Sequence, residues 1–292
     1  MPELFTGLVT KPGLYPNVPE HLYHRDVTEA GSLSVSGAKL LLPPSCPAVY
    51  QWARTHPKHS KAMDKGTVVH GMLLGTGQEV EVIDAGNYRT KASQQARDAA
   101  TAAGKVPMLA AEHAECEAIA QAVRDDPECG GLLAEGEREV SGFWADPEFG
   151  IWCRFRMDSY TMFGDTPTIV DVKTTADSSP EKFARSIAEY RYDMQDWWYR
   201  QGVAAILGCQ PHDVDFVFVA VPTGEPYLPM AYRLENDADI ANAEQDCRIA
   251  RERWRDCTDA GVWPKWASDI TPIELPVYAR RRIESNASDY YA

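Results

Sequence analysis

The sequence predicts a mixed α/β (α+β) fold: one central mixed sheet flanked by helices, preceded by a helical N-terminal part. Three observations carry that expectation. Up to about residue 131 the apolar residues recur with helical spacing, broken by Pro and Gly. From Glu137 onward the pattern switches to strand-type alternation with turn-rich breaks at 146–150 and 165–167. A helix-length stretch then separates the third strand segment from a continuous apolar run at 214–221, the pattern of a strand buried on both faces. The order β-β-β-α-β-α implies a single sheet with helices on its faces.

Residues 1–30 are rich in Pro, Gly and His without a clear period and are expected to form an irregular arm. Ser34 and Ser36 precede an apolar segment over 37–42 that Pro43-Pro44 stops, which reads as a short capped helix. Helices are expected over 46–54, 62–75, 93–103 and 108–124, with a polar stretch at 76–91 and a break at 125–131. Segments 137–145 and 151–160 form a hairpin, and 168–174 a third strand. Ser179 with Pro180 and Glu181 opens a helix that could reach Leu207, with an interruption near Arg191. A short segment at 230–234 and a charged helix over 237–259 complete the order. Residues 31–275 are read as one domain and 276–292 as a polar C-terminal tail. Trp197 and Trp198 are expected in the core or at an interface rather than as base-stacking platforms.

Composition narrows the function classes. At 292 residues, 44% hydrophobic and 25% charged, the chain can build a full globular core. It has no run of roughly eighteen apolar residues, so no membrane span is expected, and the N-terminus lacks a signal-peptide layout. A cytoplasmic protein is the expectation. Seven scattered cysteines without a CxxC pair argue for reduced thiols rather than a disulfide frame or a zinc site. The net charge of −14 stands against a broad basic nucleic-acid footprint. A local groove combined with carboxylate-held cations is compatible with it.

The chemistry concentrates on two strand segments. Arg154, Arg156 and Asp158 share one strand face, as do Asp171 and Lys173, because side chains alternate with a period of two. If the strands pair as neighbours, two carboxylates and an ammonium converge. Two close carboxylates repel unless a proton or cation lies between them. Hard oxygen ligands select Mg2+ or Mn2+, and such an ion lowers the pKa of bound water. A lysine alongside can orient that water and offset charge building on a phosphorane. Glu137 and Glu139 on the first hairpin strand read as solvated positions, with an accessory acid as the alternative.

Four motifs then stand in a familiar order. Gly66-Thr-Val-Val-His70, Arg156-Met-Asp158, Asp171-Val-Lys173-Thr174-Thr175 and Gln195-Asp-Trp-Trp-Tyr199 resemble the GxxxH, strand-aspartate, DxKTT and QxxxY motifs of the PD-(D/E)xK nuclease superfamily. The likeness is to its RecB-like and RecE-like phage-type exonuclease branch and covers residues 32–210. It implies a restriction-endonuclease-like sheet. Two departures are Met157 in place of the usual proline and Asp171 in place of glutamate.

The resemblance also implies roles. His70, Asp158, Asp171 and the Val172 carbonyl would hold one or two ions. Lys173 would position the nucleophilic water, with Gln195 and Tyr199 bracing the pocket. Ser34, Ser36 and Arg54 fall near the expected terminal phosphate, and Arg154, Arg156 and Arg185 would flank the DNA groove. The activity implied is hydrolysis of linear double-stranded DNA from its ends, 5′ to 3′, in phage-type recombination. The implied partners are a single-strand annealing protein and further copies of the chain in a homo-oligomeric ring. The alternatives are a Cas4-like or helicase-associated RecB-type nuclease, and a non-catalytic DNA-binding protein on the same fold.

Overall fold

The computed structural model describes residues 5, 7–56, 65–277 and 279–280. The chain opens with strand β1 (Gly13–Tyr15), helix α1 (Glu20–Arg25) and strand β2 (Ser32–Ser34). Helices α2 (Val35–Leu40), α3 (Pro47–Thr55) and α4 (Lys65–Leu74) follow. A peripheral unit contains β3 (Val80–Ile83), α5 (Lys91–Ala102), β4 (Val106–Leu109), α6 (Ala110–Asp125) and α7 (Pro127–Ala134). The long strands are β5 (Glu137–Asp146), β6 (Ile151–Phe163) and β7 (Thr166–Thr175). Helices α8 (Pro180–Tyr190) and α9 (Tyr192–Leu207), strands β8 (Asp215–Pro222) and β9 (Met230–Tyr232), and helix α10 (Asp237–Ala260) end the fold.

The main sheet runs β1-β5-β6-β7-β8-β9, with β2 added along β6. Pairs β5/β6 and β6/β7 are antiparallel, whereas β7/β8 and β2/β6 are parallel. The sheet is therefore mixed, as the sequence predicts. The parallel β7/β8 pair needs a crossover, and α8 and α9 supply it. Strand β8 is buried on both faces because each face is covered. Phe216, Phe218 and Ala220 face the larger core with α2, α9 and α10. Val219 and Val221 face a second core with α4 and α6. Trp198 is fully buried and Trp197 nearly so, both in the larger core.

Several expectations are corrected. The segment before residue 31 is tied into the fold: β1 pairs with β5, and Val9, Tyr15, Val18, Tyr23 and Val27 pack on Phe143. Within the polar stretch at 76–91, the apolar patch at Val80, Val82 and Ile83 forms a strand, and its parallel partner β4 occupies the start of the expected 108–124 helix. The expected break at 125–131 is mostly helix α7, because the Asp126 carboxylate caps it by accepting from Glu128 N and Cys129 N and Pro127 suits the first turn. The start of the expected 62–75 helix, and residues 281–292 of the tail, lie outside the described residues. The interruption expected near Arg191 is present: Arg191 takes left-handed φ 54°, ψ 48° between α8 and α9. All seven cysteines are unpaired thiols. Among the described residues no helix is long and apolar enough to cross a membrane.

Candidate active site

The site is built where β6 changes partners. On one edge of β6, residues 152–154 pair with β2 and residues 159–163 pair with β7. Among the described residues, 155–158 have no ladder partner on that edge. Asp158 lies at this opening, and its Oδ2 accepts the Val172 amide at 2.7 Å. The side chain thus substitutes for a missing ladder bond and locks β6 to β7 beside Asp171. On the opposite edge, β5 register places Glu139 across from Asp158, between the pairs Arg138–Ser159 and Val140–Met157. Glu139 has φ 53°, in the left-handed region that a side chain with a Cβ adopts at a cost.

Three groups meet in the opening. His70 Nε2 is 3.0 Å from Asp158 Oδ2. One ligand atom each from His70, Glu139 and Asp158 lie within 4.8 Å of one another. Glu139 is also held by Arg156, whose Nε is 2.5 Å from its Oε2. Burial opposes the charged form of both His70 and Asp158. Their mutual attraction outweighs it, lifting the His70 pKa above the ordinary histidine value. The same contact, with the Lys173 charge and the Val172 amide, holds Asp158 below the usual carboxylate range.

The second half of the site faces α9. Asp171 is almost fully buried. Its Oδ1 accepts from Gln195 Nε2 at 2.6 Å, and its Oδ2 is 2.5 Å from Lys173 Nζ. Burial, reinforced by the Asp158 charge and opposed by Lys173, raises the Asp171 carboxyl to about 6. Burial disfavours the Lys173 ammonium, but the two carboxylates overcome this and raise its pKa. Lys173 therefore stays charged.

A cavity of about 820 Å³ opens onto Asp158, with His70, Glu139 and Tyr199 in its wall. Ser34, Ser36, Arg154 and Arg156 also line it. Ser34 Oγ caps α2 by accepting from Gly37 N at 3.2 Å. Both arginines are engaged by the protein. Arg154 bonds Asp26 at 2.9 Å, and Arg156 bonds Glu139 and the Val18 carbonyl, the latter at 3.0 Å. Tyr199 is buried with its ring on Phe155, and burial pushes its hydroxyl pKa far above the ordinary value. Val172 contributes its amide to Asp158 and its side chain to the second core. Arg54 and Arg185 are exposed and are not among the residues lining this cavity. The sequence reading preferred a solvated position for Glu139 and held the accessory acid as the alternative, and it missed Glu20, Tyr23 and His24 of α1, which form part of the cavity wall.

The donor set suits a hard divalent cation. It combines carboxylate oxygens with one imidazole, and the buried Asp171 Oδ2 has no aligned hydrogen bond beyond its contact with Lys173.

The sheet, its flanking helices and the two strands carrying Asp158 and Asp171-Val-Lys173 define the PD-(D/E)xK nuclease superfamily. Residues 34–274 match the family described as "PDDEXK-like domain of unknown function (DUF3799)", and the chain belongs to that family. Among solved structures it is similar to the crystal structure of a "Putative exonuclease" from Eubacterium rectale, at 14% identity. That alignment covers 90% of this chain and 98% of the other with a TM-score of 0.58, and it speaks to the fold. No curated protein matches the chain.

Proposed function

We propose that this protein is a metal-dependent exodeoxyribonuclease acting on the ends of linear double-stranded DNA. The observation that carries the reading is the junction of β6 and β7. There Asp158, in the cavity wall, accepts the Val172 amide, while Asp171 contacts Lys173 just behind that wall, so two acids and an amine lie side by side on neighbouring strands. His70, Glu139, Asp158 and Asp171 would hold Mg2+ or Mn2+. When bound, such an ion supplies Lewis-acid polarisation of the phosphate and a water of lowered pKa.

The chain's own groups do the rest. Lys173, kept charged by its carboxylate neighbours, orients the attacking water and stabilises charge developing on phosphate oxygens. Gln195 fixes the carboxylate plane of Asp171 through its 2.6 Å bond, and Asp158 ties the two strands at the opening. The 820 Å³ cavity admits the strand end at the wall formed by Ser34 and Ser36. Digestion from 5′ to 3′, a role in phage-type recombination, a single-strand annealing partner and a homo-oligomeric ring are further parts of the proposal. A ring would let basic residues line the DNA channel while a chain of net charge −14 stays acidic outside.

The test uses linear duplexes labelled separately at the 5′ and 3′ ends, and a covalently closed circle of the same sequence. With Mg2+ the linear DNA should lose 5′ label first as mononucleotides, and the circle should survive. Cleavage of the circle would replace the exonuclease reading with an endonuclease one. No cleavage of either would leave the scaffold as a binding protein.

A further inference from the structure

A second cavity, of about 590 Å³, adjoins the first and shares Gly66 and Thr174 with it. That volume is in the range of small-ligand sites. Its distinctive wall is aromatic. Tyr190 and Tyr192 stack with ring centroids 5.6 Å apart and an interplanar angle of 28°. They flank Arg191, a non-glycine residue in the left-handed conformation, which breaks one helix into α8 and α9 and brings positions two apart face to face. Arg191 is anchored there by Asp193 at 3.0 Å and Asp246 at 2.6 Å.

The two rings have different surroundings. Tyr192 has Lys173 Nζ 4.8 Å from its centroid and Lys39 Nζ at 5.6 Å. It also leans on Phe183 of the core at 6.4 Å. Tyr190 is 55% exposed, and Lys39 Nζ donates to its carbonyl at 2.8 Å. An exposed aromatic ring stacked on a second ring that two lysines contact, with Lys65 and the hydroxyls of Thr175 and Ser186 lining the same cavity, is the chemistry that takes a base and its phosphate. Glu189, the one carboxylate among the described lining residues, is exposed to solvent.

We propose that this cavity is a stacking subsite in which Tyr190 holds one unpaired nucleobase of the DNA strand whose phosphodiester lies at Asp158 and Asp171. The idea rests on the nuclease reading above. Its consequence is that the strand end is separated from its complement at the site, since a paired base has no free face for Tyr190. Every base has such a face, so the subsite binds without sequence preference.

The test is binding of single-stranded oligonucleotides carrying 2-aminopurine at successive positions, with chelator present so that nothing is cut. Wild type should quench fluorescence at one position near the end. Tyr190→Phe and Tyr190→Trp should keep the quench. Tyr190→Ala and Tyr190→Leu should lose it and bind roughly tenfold to a hundredfold more weakly, the size of one stacked base. Tyr190→Leu keeps apolar bulk, so it reports stacking even if the alanine variant is unstable. The subsite is overturned if the alanine and leucine variants quench like wild type, if wild type quenches all positions alike, or if wild type does not bind. Digestion of linear duplex with Mg2+ is followed in parallel. A position-specific quench without digestion would sink the nuclease reading and leave the subsite. Digestion with a quench indifferent to Tyr190 would do the reverse.

Discussion

Replacing Gln195 with methionine nearly conserves side-chain volume and deletes the donor that holds Asp171 Oδ1 at 2.6 Å. Gln195 is 8% exposed and Asp171 only 1%, so water does not readily replace the lost bond. A hydrogen bond to a charged group contributes about 1.5–3 kcal/mol, and stranding a buried carboxylate oxygen belongs at the upper end. The size of the effect depends on pH. The Asp171 pKa is raised to about 6, above its ordinary unfolded value, so the folded protein holds that proton more tightly. The stabilisation this gives is complete at low pH and is lost as pH rises through about 6. Without Gln195 the carboxylate is harder still to ionise. Gln195→Met should therefore cost little at pH 5 and about 2–3 kcal/mol at pH 8. Urea melts with chelator present, at both pH values, measure the difference. Activity with Mg2+ should fall about 10- to 100-fold, as for other groups that orient a ligand rather than act as one. An equal loss of stability at pH 5 and pH 8 would refute the assignment of Gln195 as the partner of the charged form of Asp171.

Magnesium should raise the melting temperature of wild type, by the equivalent of about 2.7 kcal/mol at a concentration 100-fold above Kd, and Asp158→Asn should abolish the shift in a thermal-melt titration. Glu139→Ala should weaken Mn2+ binding measured by calorimetry by roughly 10- to 100-fold, whereas a Glu139 engaged only with Arg156 would leave affinity unchanged. Gly202→Ala should destabilise the protein by about 1–3 kcal/mol, because a Cβ there overlaps the Phe155 ring and crowds Trp144. Combining it with Phe155→Leu should cost less than the sum of the two single changes, read from denaturant melts.

The strand half of the fold was legible because local signals agreed. Alternation, the 146–150 turn and the apolar run at 214–221 gave four strands, and the αL residue Arg191 was foreshadowed by the interruption expected there. Strands β1 to β4 were not legible. They are three or four residues long, too short for periodicity to separate them from loop or helix. Their pairing with β5, β6 and each other is tertiary. The neighbourhood of Asp158, Asp171 and Lys173 was expected from strand parity on the condition that the two strands pair, and Gln195 and Tyr199 were implied by the family resemblance. Glu139, weighed only as an alternative, could have been placed opposite Asp158 by counting back from the hairpin turn. Asp146 pairs with Ile151, and seven steps along each strand lead to Glu139 and Asp158. What ranked the accessory acid second was the preference for an ordinary solvated strand position. The contribution of α1 to the cavity had no sequence signal, since the contacts of Asp26 with Arg154 and of Val18 with Arg156 span more than a hundred residues. They also show why the guanidinium groups expected to flank DNA are already bonded within the chain.

The most direct test is single-turnover cleavage of an end-labelled linear duplex by wild type, Asp158→Asn and Lys173→Met, each with Mg2+ and with excess chelator. Wild type should cut only with the metal. Both variants, folded by circular dichroism, should be slower by a factor of about 1,000 or more, in keeping with loss of electrostatic stabilisation at the reacting phosphate. Cleavage at the wild-type rate by either variant, or by wild type in chelator, would contradict a phosphodiester chemistry built on the β6–β7 opening.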